Sequence, residues 1–201
     1  MTVPKATFLE LRVRVLDDCR ELLGTISIAH PLLEANLLHV EPVRLRAILF
    51  LRQLLIKHVG LVLTRLHAKP CRGRTGETAS IPSLLNAALA EGRLTVSRKG
   101  EFDTKRQALI QNLETNGVKF SDLETFRHAE LAHSLYRTST QTDSTLAYQQ
   151  IHEFAHDTFE LMIELDKASL APGEPESKLP SDFHDWMDFG AALWPDLVDD
   201  D

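Results

Sequence analysis

Apolar residues recur along most of the chain at the three- and four-residue spacing of one helix face. This pattern predicts a helix from Thr7 to Leu23 and a shorter helix that begins after Pro31. Residues 41–68 are nearly all apolar between scattered Arg and Lys, so we expect them to form the central buried helix. Further helices are predicted over residues 80–92, 101–117, 121–137 and 144–168. The chain therefore predicts an all-α fold, a bundle of helices.

The polar and helix-breaking residues between these segments predict where the helices begin and end. Residues 69–79, KPCRGRTGETA, combine Pro, two Gly and polar residues and predict a loop. Ser80 precedes a Pro in the first helical turn, and Ser121 with Glu124 has the spacing of a capping box. Pro, Gly, Glu and Ser dominate from Ala171 onward, which is typical of a linker. We therefore divide the chain into a helical domain, residues 1–169, and an acidic linker and tail, residues 170–201, with a short amphipathic helix.

Charge is distributed unevenly between these two parts. The net charge is −7, but residues 170–201 hold nine acidic residues and one lysine, which leaves +1 on residues 1–169. Between Lys69 and Arg106 there are eight basic residues and four acidic ones. Charges act over a screening length of about 8–10 Å, so a nucleic-acid partner is compatible with the acidic total. The acidic tail is also a candidate to fold back over the basic surface.

Cysteine usage and the N-terminal sequence bear on the compartment. Cys19 and Cys71 lie far apart and form no CxxC pair, so we interpret both as reduced thiols. The first residues, MTVPKATFLELRVRVLDD, lack the layout of a signal peptide. No apolar run is interpreted as a membrane span. We expect a cytoplasmic protein with no membrane association.

The predicted helix over residues 121–137 carries an unusual set of polar side chains. At about 100° per residue, one arc of about 120° contains five of them. These are Arg127, Glu130, His133, Ser134 and Arg137. Leu123 and Phe126 fall within the same arc, which indicates that the face is covered. It is either an ordinary solvated face with internal Glu–Arg pairs or a phosphate site, in which arginine binds phosphate oxygens and histidine transfers protons.

A second motif, HEFAH, offers a competing chemistry. His152 and His156 are spaced to bind one zinc ion from a helix, with Glu153 as the general base. Asp157 follows directly, and the downstream candidates for a third ligand, Glu174 and Glu176, lie in the predicted linker. The alternatives are a zinc-dependent hydrolase and two helix histidines with local hydrogen bonds.

Three segments carry a resemblance to a known family. They are LRQLLIKHVGLVLTRLHA, ASIPSLLNAAL and FRHAELAHS. Over roughly residues 51–166 the chain resembles the HEPN superfamily of small helical domains, and within it the AbiU-type abortive-infection branch. The superfamily motif is an Arg, then Asn, Asp or His, then a few residues, then His. Arg127, His128 and His133 match it in turn.

The resemblance implies a HEPN-type helical bundle that forms a two-fold homodimer, with the Arg/His helices of both copies lining one cleft. It implies a metal-independent endoribonuclease that acts as a toxin or in phage defence, with an antitoxin as a further partner and no cofactor. Arg127 and His133 would be catalytic, supported by His128, Glu130 and Ser134. Because some members keep the fold without the activity, the alternative is a silent module that binds a nucleotide or a partner. The basic residues expected to hold the RNA backbone are Lys69, Arg72, Arg74, Arg98 and Lys99.

Overall fold

Five helices and one pair of very short strands make up the described part of the chain. The computed structural model describes residues 6–35, 37, 40–70, 72–73, 76–124, 144–177 and 179. The helices are α1 (Phe8–Glu34), α2 (Pro42–His67), α3 (Ile81–Ala90), α4 (Val96–Thr115) and α5 (Ser144–Ser169). β1 (Arg72–Gly73) and β2 (Gly76–Glu77) pair antiparallel within the predicted loop, and residues 120–124 form a further helical turn. The predicted all-α class is confirmed.

The beginning of α1 is fixed by a capping box. The Thr7 hydroxyl accepts a hydrogen bond from the Glu10 amide at 3.3 Å, and the Thr7 amide donates to the Glu10 carboxylate at 2.8 Å. These bonds satisfy two backbone donors that the first helical turn leaves without partners. The Phe8 amide also donates to Glu91 Oε1 at 2.6 Å, which ties this end of α1 to the residue after α3.

α1 continues through Pro31 to Glu34, so the prediction of a separate helix after Pro31 was wrong. Pro31 lies three residues before the helix end and removes one backbone donor there. Burial of Leu32, which is fully enclosed, stabilises the final turn. The Arg52 guanidinium of α2 donates to the carbonyls of Leu32 and, at 3.1 Å, Ala35. Contacts from a distant part of the sequence therefore outweigh the local signal of the proline.

α2 is buried in its C-terminal half only. Val59, Leu63 and Leu66 are enclosed, whereas Val43 is 72% exposed and Phe50 66%. The prediction of a central buried helix is therefore wrong for the N-terminal half, because apolar composition does not show which turns a neighbour covers. By length and composition alone, α2 is also the one described helix that could cross a membrane, a test that core helices of soluble proteins pass as well; only 33% of its most apolar window is buried.

One main hydrophobic core lies between α1, the C-terminal half of α2, α3, α4 and α5. Its largest enclosed side chains are Phe8, Phe102, Phe159, Leu11, Leu22, Leu23, Ile26, Leu63, Leu66 and Ile81. Enclosing each one stabilises the fold by about 1.5–3 kcal/mol. Cys19 is a buried free thiol in this core, and burial raises its pKa.

Hydroxyl side chains mark the beginnings of α3 and α4. Ser80 Oγ accepts from the Ser83 amide at 3.3 Å, as its predicted capping role requires. Thr95 Oγ1 accepts from the Arg98 amide at 3.2 Å and begins α4 five residues before the predicted start at residue 101. The next helical turn already includes residue 120, one residue ahead of the start predicted at Ser121.

A buried ion pair attaches the residues after α5 to α1. Arg12 Nε and Nη2 donate to Asp166 Oδ1 and Oδ2 at 2.6 and 3.1 Å, and only 8% of Arg12 and 2% of Asp166 is exposed. Arg12 Nη2 also donates to the Pro175 carbonyl at 3.1 Å. The Ser177 amide donates to Asp166 Oδ2 at 3.2 Å. The polar groups of this pair therefore hold the first part of the predicted linker against the bundle.

Arg93 makes a second attachment at the same end of the fold. Its Nη1 and Nη2 donate to Glu174 Oε2 and Oε1 at 2.6 and 3.0 Å. The hydrogen bonds from Arg93 lower the pKa of the Glu174 carboxyl to about 2. The Arg93 guanidinium also lies over the Phe8 ring, 4.4 Å from its centroid. Leu179 is 9% exposed and belongs to the main core, so the described chain remains attached to the bundle up to that point.

Candidate functional site

The predicted catalytic pair, Arg127 and His133, lies outside the described residues. So do the three supporting residues His128, Glu130 and Ser134, because the description stops at residue 124 and resumes at residue 144. What can be described is the protein surface from which the segment departs and the part of the bundle beneath it.

Residues 120–124 rest on the C-terminal half of α2. Phe120 is 8% exposed and belongs to the main core, and Leu123 packs against that core. A Cβ atom at Gly60 would lie 3.5 Å from Leu123 Cδ2, so the Leu123 side chain lies directly on α2. Leu123 is one of the two apolar residues predicted on the polar arc. Packing within the chain therefore accounts for its cover.

A buried histidine, His67, lies beside this turn at the end of α2. Its ring centroid is 4.9 Å from that of Phe154 and 6.0 Å from that of Phe120. His67 Nε2 is 2.9 Å from Thr158 Oγ1, and that hydroxyl donates to the Phe154 carbonyl at 2.7 Å. Because the hydroxyl proton is used for the carbonyl, the hydroxyl oxygen accepts from His67. The imidazole therefore carries its proton on Nε2, and Nδ1 is unprotonated.

The surroundings of His67 keep it neutral. Burial lowers its pKa to about 3, and the positive charge of Arg106 lowers it further in the same direction. Arg106 Nη1 donates to the His67 backbone carbonyl at 3.4 Å, and burial lowers the pKa of this guanidinium as well. A histidine that is uncharged over the whole physiological range is suited to packing and hydrogen bonding. It is not suited to exchanging protons with a substrate at neutral pH.

Arg65, two residues earlier in the Arg-Leu-His ending of α2, joins α2 to α1. Its Nε donates to Asp18 Oδ2 at 2.8 Å, and its Nη2 donates to Glu21 Oε2 at 2.6 Å. Leu66 between them is fully enclosed. The Arg-Leu-His ending therefore connects α2 to α1 on one side and to α5 on the other. Sequence reasoning assigned no role to His67, although its position on an apolar helix face was a signal for burial.

The basic residues expected to bind an RNA backbone are only partly described. Lys69 is exposed just after α2, Arg72 is described through its backbone in β1, and Arg74 lies outside the described residues. On α4, Arg98 donates to Glu101 at 2.7 Å and Lys99 to Asp103 at 2.5 Å. Such surface pairs contribute about 0–1 kcal/mol each, so a phosphate group can displace them at little cost.

The HEFAH motif lies on α5, where its side chains have neighbours within the bundle. The His152 ring stacks on His30 of α1, with centroids 5.1 Å apart and planes 27° apart. His156 Nδ1 lies 3.4 Å from Asp157 Oδ1, and Glu153 accepts from Gln149 at 3.3 Å. Across the described ranges, no group of three or more His, Cys, Asp or Glu side chains could hold a metal ion. This part of the chain therefore supplies no third ligand for the predicted zinc alternative.

Compared with models of known protein families, with curated proteins and with solved structures, the chain has no match.

Proposed function

We propose that this protein is a HEPN-type, metal-independent endoribonuclease that works as a two-fold homodimer in toxin activity or phage defence. The observation that carries the proposal is the sequence pattern Arg127-His128 followed by His133, within a chain whose described part is an all-α bundle. The order of residue types is the one that the superfamily uses to bind and cleave RNA.

The packing of the described segments supports this proposal. Leu66, Ile81 and Phe120 belong to one hydrophobic core, although they come from three separate parts of the sequence. Leu66 lies in the first resembling segment and Ile81 in the second, while Phe120 precedes Arg127 by seven residues. The segments that carry the resemblance are therefore neighbours in the fold, as parts of one structural unit should be.

In the proposed reaction His133 exchanges protons with the 2′-hydroxyl and the leaving oxygen, and Arg127 stabilises the charge on the phosphate. The 2′-oxygen forms a bond to phosphorus as the bond to the 5′-oxygen breaks, giving a 2′,3′-cyclic phosphate and a 5′-hydroxyl. Six residues separate Arg127 and His133 by about 9 Å along a helix and by about 120° around it. Each phosphate would therefore be served by the arginine of one protomer and the histidine of its partner.

The test is cleavage of RNA by the purified protein in the presence of a chelator. We expect wild type to produce 2′,3′-cyclic ends and both Arg127→Ala and His133→Ala to lose activity. His58→Ala is the matched control, because it removes a histidine that is 42% exposed on α2. If His133→Ala cleaves as fast as wild type, the catalytic role of His133 is wrong.

Mixing the two inactive variants tests whether the site is shared. A dimer of one Arg127→Ala and one His133→Ala chain keeps one intact arginine and one intact histidine on opposite protomers. Random mixing should restore about a quarter of the wild-type activity, since half of the dimers are mixed and each has one complete site of two. No recovery, with dimer exchange demonstrated, would contradict a shared site.

The alternatives give different outcomes in the same assay. Cleavage that disappears with the chelator favours the zinc hydrolase, in which His152, Glu153 and His156 would be required. RNA or nucleotide binding without any cleavage favours the silent binding module.

A further inference from the structure

The N-terminal half of α2 presents an apolar surface to the outside of the bundle. Val43 is 72% exposed, Phe50 66%, Leu54 52% and Leu49 44%. With Ala47, which is also exposed, three of them form a stripe at positions 43, 47, 50 and 54. This alternating spacing of four and three residues is the one that helices use to pack along each other. Contiguous exposed apolar surface of this kind marks an interaction site.

The charge of this surface, which we call the α2 face, narrows the choice of occupant. From Pro42 to His67 the sequence contains no acidic residue. Arg44, Arg46, Arg52 and Lys57 lie in the same half as the apolar stripe. Two copies of the α2 face would bring like charges together, which opposes association. The occupant should therefore combine apolar side chains with negative charge.

The C-terminal segment of the same chain, residues 181–201, has this chemistry. It contains seven Asp and no Lys or Arg. Phe183, Trp186, Met187 and Trp194 provide large apolar side chains at helical spacing, interleaved with the carboxylates. On α4, by contrast, Arg98 and Lys99 are already paired with carboxylates of their own helix. The α2 face is therefore the better match for the acidic segment.

The position at which the described chain ends permits this contact. Arg12 fixes Pro175 beside the N-terminal part of α1, whereas the α2 face lies at the other end, where Leu32 and Ile48 pack together. Arg12 and Leu32 are separated by about 30 Å along α1. The 22 residues from 180 to 201 span about 70 Å when extended, so part of the segment can bridge this distance while the remainder lies along α2.

We propose that residues 181–201 dock on the α2 face of their own chain, with the aromatic side chains against Val43, Phe50 and Leu54 and the carboxylates beside the basic residues. The contact does not depend on the ribonuclease activity proposed above. It assigns a binding role to an apolar surface that the helical core leaves uncovered, and it makes the tail an internal competitor for any acidic or membrane partner of α2.

Both tryptophans of the chain, Trp186 and Trp194, lie in the docking segment, so their fluorescence reports the contact directly. Phe50→Glu places a negative charge in the centre of the α2 face. We expect the tryptophan emission of the full-length variant to shift to the red and its quenching by acrylamide to increase, both towards the values of the unfolded chain. Val96→Glu is the matched control, because Val96 is 76% exposed at the beginning of α4 and its replacement should leave the emission unchanged.

A second variant separates the contact from any loss of folding. Arg46→Glu reverses one charge beside the stripe without changing an apolar residue, and we expect a smaller shift in the same direction, with unchanged helix content by circular dichroism. Emission that is equal in wild type, Phe50→Glu and Arg46→Glu would overturn the proposal. So would a shift that depends on protein concentration, or loss of dimers with unchanged emission, because either would assign the α2 face to a second copy. Loss of binding to vesicles containing phosphatidylserine, again with unchanged emission, would assign it to a membrane.

Discussion

The buried imidazole of His67 should make the stability of the protein sensitive to mild acid. In the folded chain its pKa is about 3, against 6.5 for an ordinary histidine, because burial and then the charge of Arg106 oppose protonation. Between these values the unfolded chain binds a proton at this position and the folded chain does not. The free energy of unfolding therefore rises with pH across this range and falls as the solution is acidified from 6.5 towards 3.

The size of the effect follows from the two pKa values. Each pH unit within this range changes the free energy of unfolding by about 1.4 kcal/mol for one proton. Going from pH 8 to pH 5, His67 alone should therefore remove about 2 kcal/mol, a large fraction of the 5–15 kcal/mol that holds a typical domain together. His67→Gln removes the titration and keeps an amide donor near Thr158. We expect the variant to lose less stability over the same pH interval by about this amount.

The assay is urea unfolding followed by circular dichroism at several pH values between 8 and 5. The quantity compared is the change in unfolding free energy with pH, so a uniform loss of stability in His67→Gln does not affect the test. His58→Gln makes the same substitution earlier in α2, at an imidazole that is 42% exposed and 2.8 Å from Glu21, and its pH dependence is the reference. If His67→Gln loses as much stability between pH 8 and pH 5 as wild type, the neutral buried state assigned to His67 is wrong.

Three further predictions concern the attachments within the bundle. Arg12→Met should lower the free energy of unfolding in urea by about 3–5 kcal/mol by leaving Asp166 buried without its cation, and combining it with Asp166→Leu should recover most of the loss; Arg20→Met, which breaks an exposed pair with Asp17, should cost less than about 1 kcal/mol. Ser80→Ala should cost about 1 kcal/mol in the same measurement through the lost cap of α3, and an equal loss in the exposed Ser97→Ala would contradict that role. Glu174→Gln should speed hydrogen exchange at the Ala171 amide, which donates to the Glu174 carboxylate, more than Glu176→Gln does. Because the pKa of Glu174 is lowered to about 2, this protection should persist above about pH 4.5 and disappear as the pH falls towards 2.

The sequence predicted the helical class and most helices because the apolar spacing and the capping residues are local signals. Ser80 illustrates this, since a serine followed by Pro in the first turn is sufficient to place the start of α3. Pro31 illustrates the limit. Its local signal predicts a helix boundary, but Arg52, 21 residues away, donates to the final carbonyls of α1 and the helix continues past the proline. No local pattern contains that information.

Burial and partner choice were harder to predict than helical structure. Residues 41–68 have one continuous apolar composition, yet only the turns that face α1, α3 and α5 are enclosed. The composition of residues 171–177 is that of a linker, yet Arg12 and Arg93 hold them through charges that are 163 and 81 residues away in the sequence. The candidate site shows the same limit. Its residue types can be read from the sequence, whereas the packing of Leu123 on Gly60 and the neutral state of His67 depend on three-dimensional neighbours.

The shared contacts of Arg93 bring the two ends of the helical domain together. Its guanidinium covers the ring of Phe8, at the first residue of α1, and binds Glu174, five residues after the last residue of α5. A short peptide could therefore join residue 177 to residue 6 in a chain without the acidic tail. New termini could then open between β1 and β2, where the backbone runs between two-residue strands. The fold is accordingly suited to circular permutation, in which the order of its helices along the chain changes while their packing is retained.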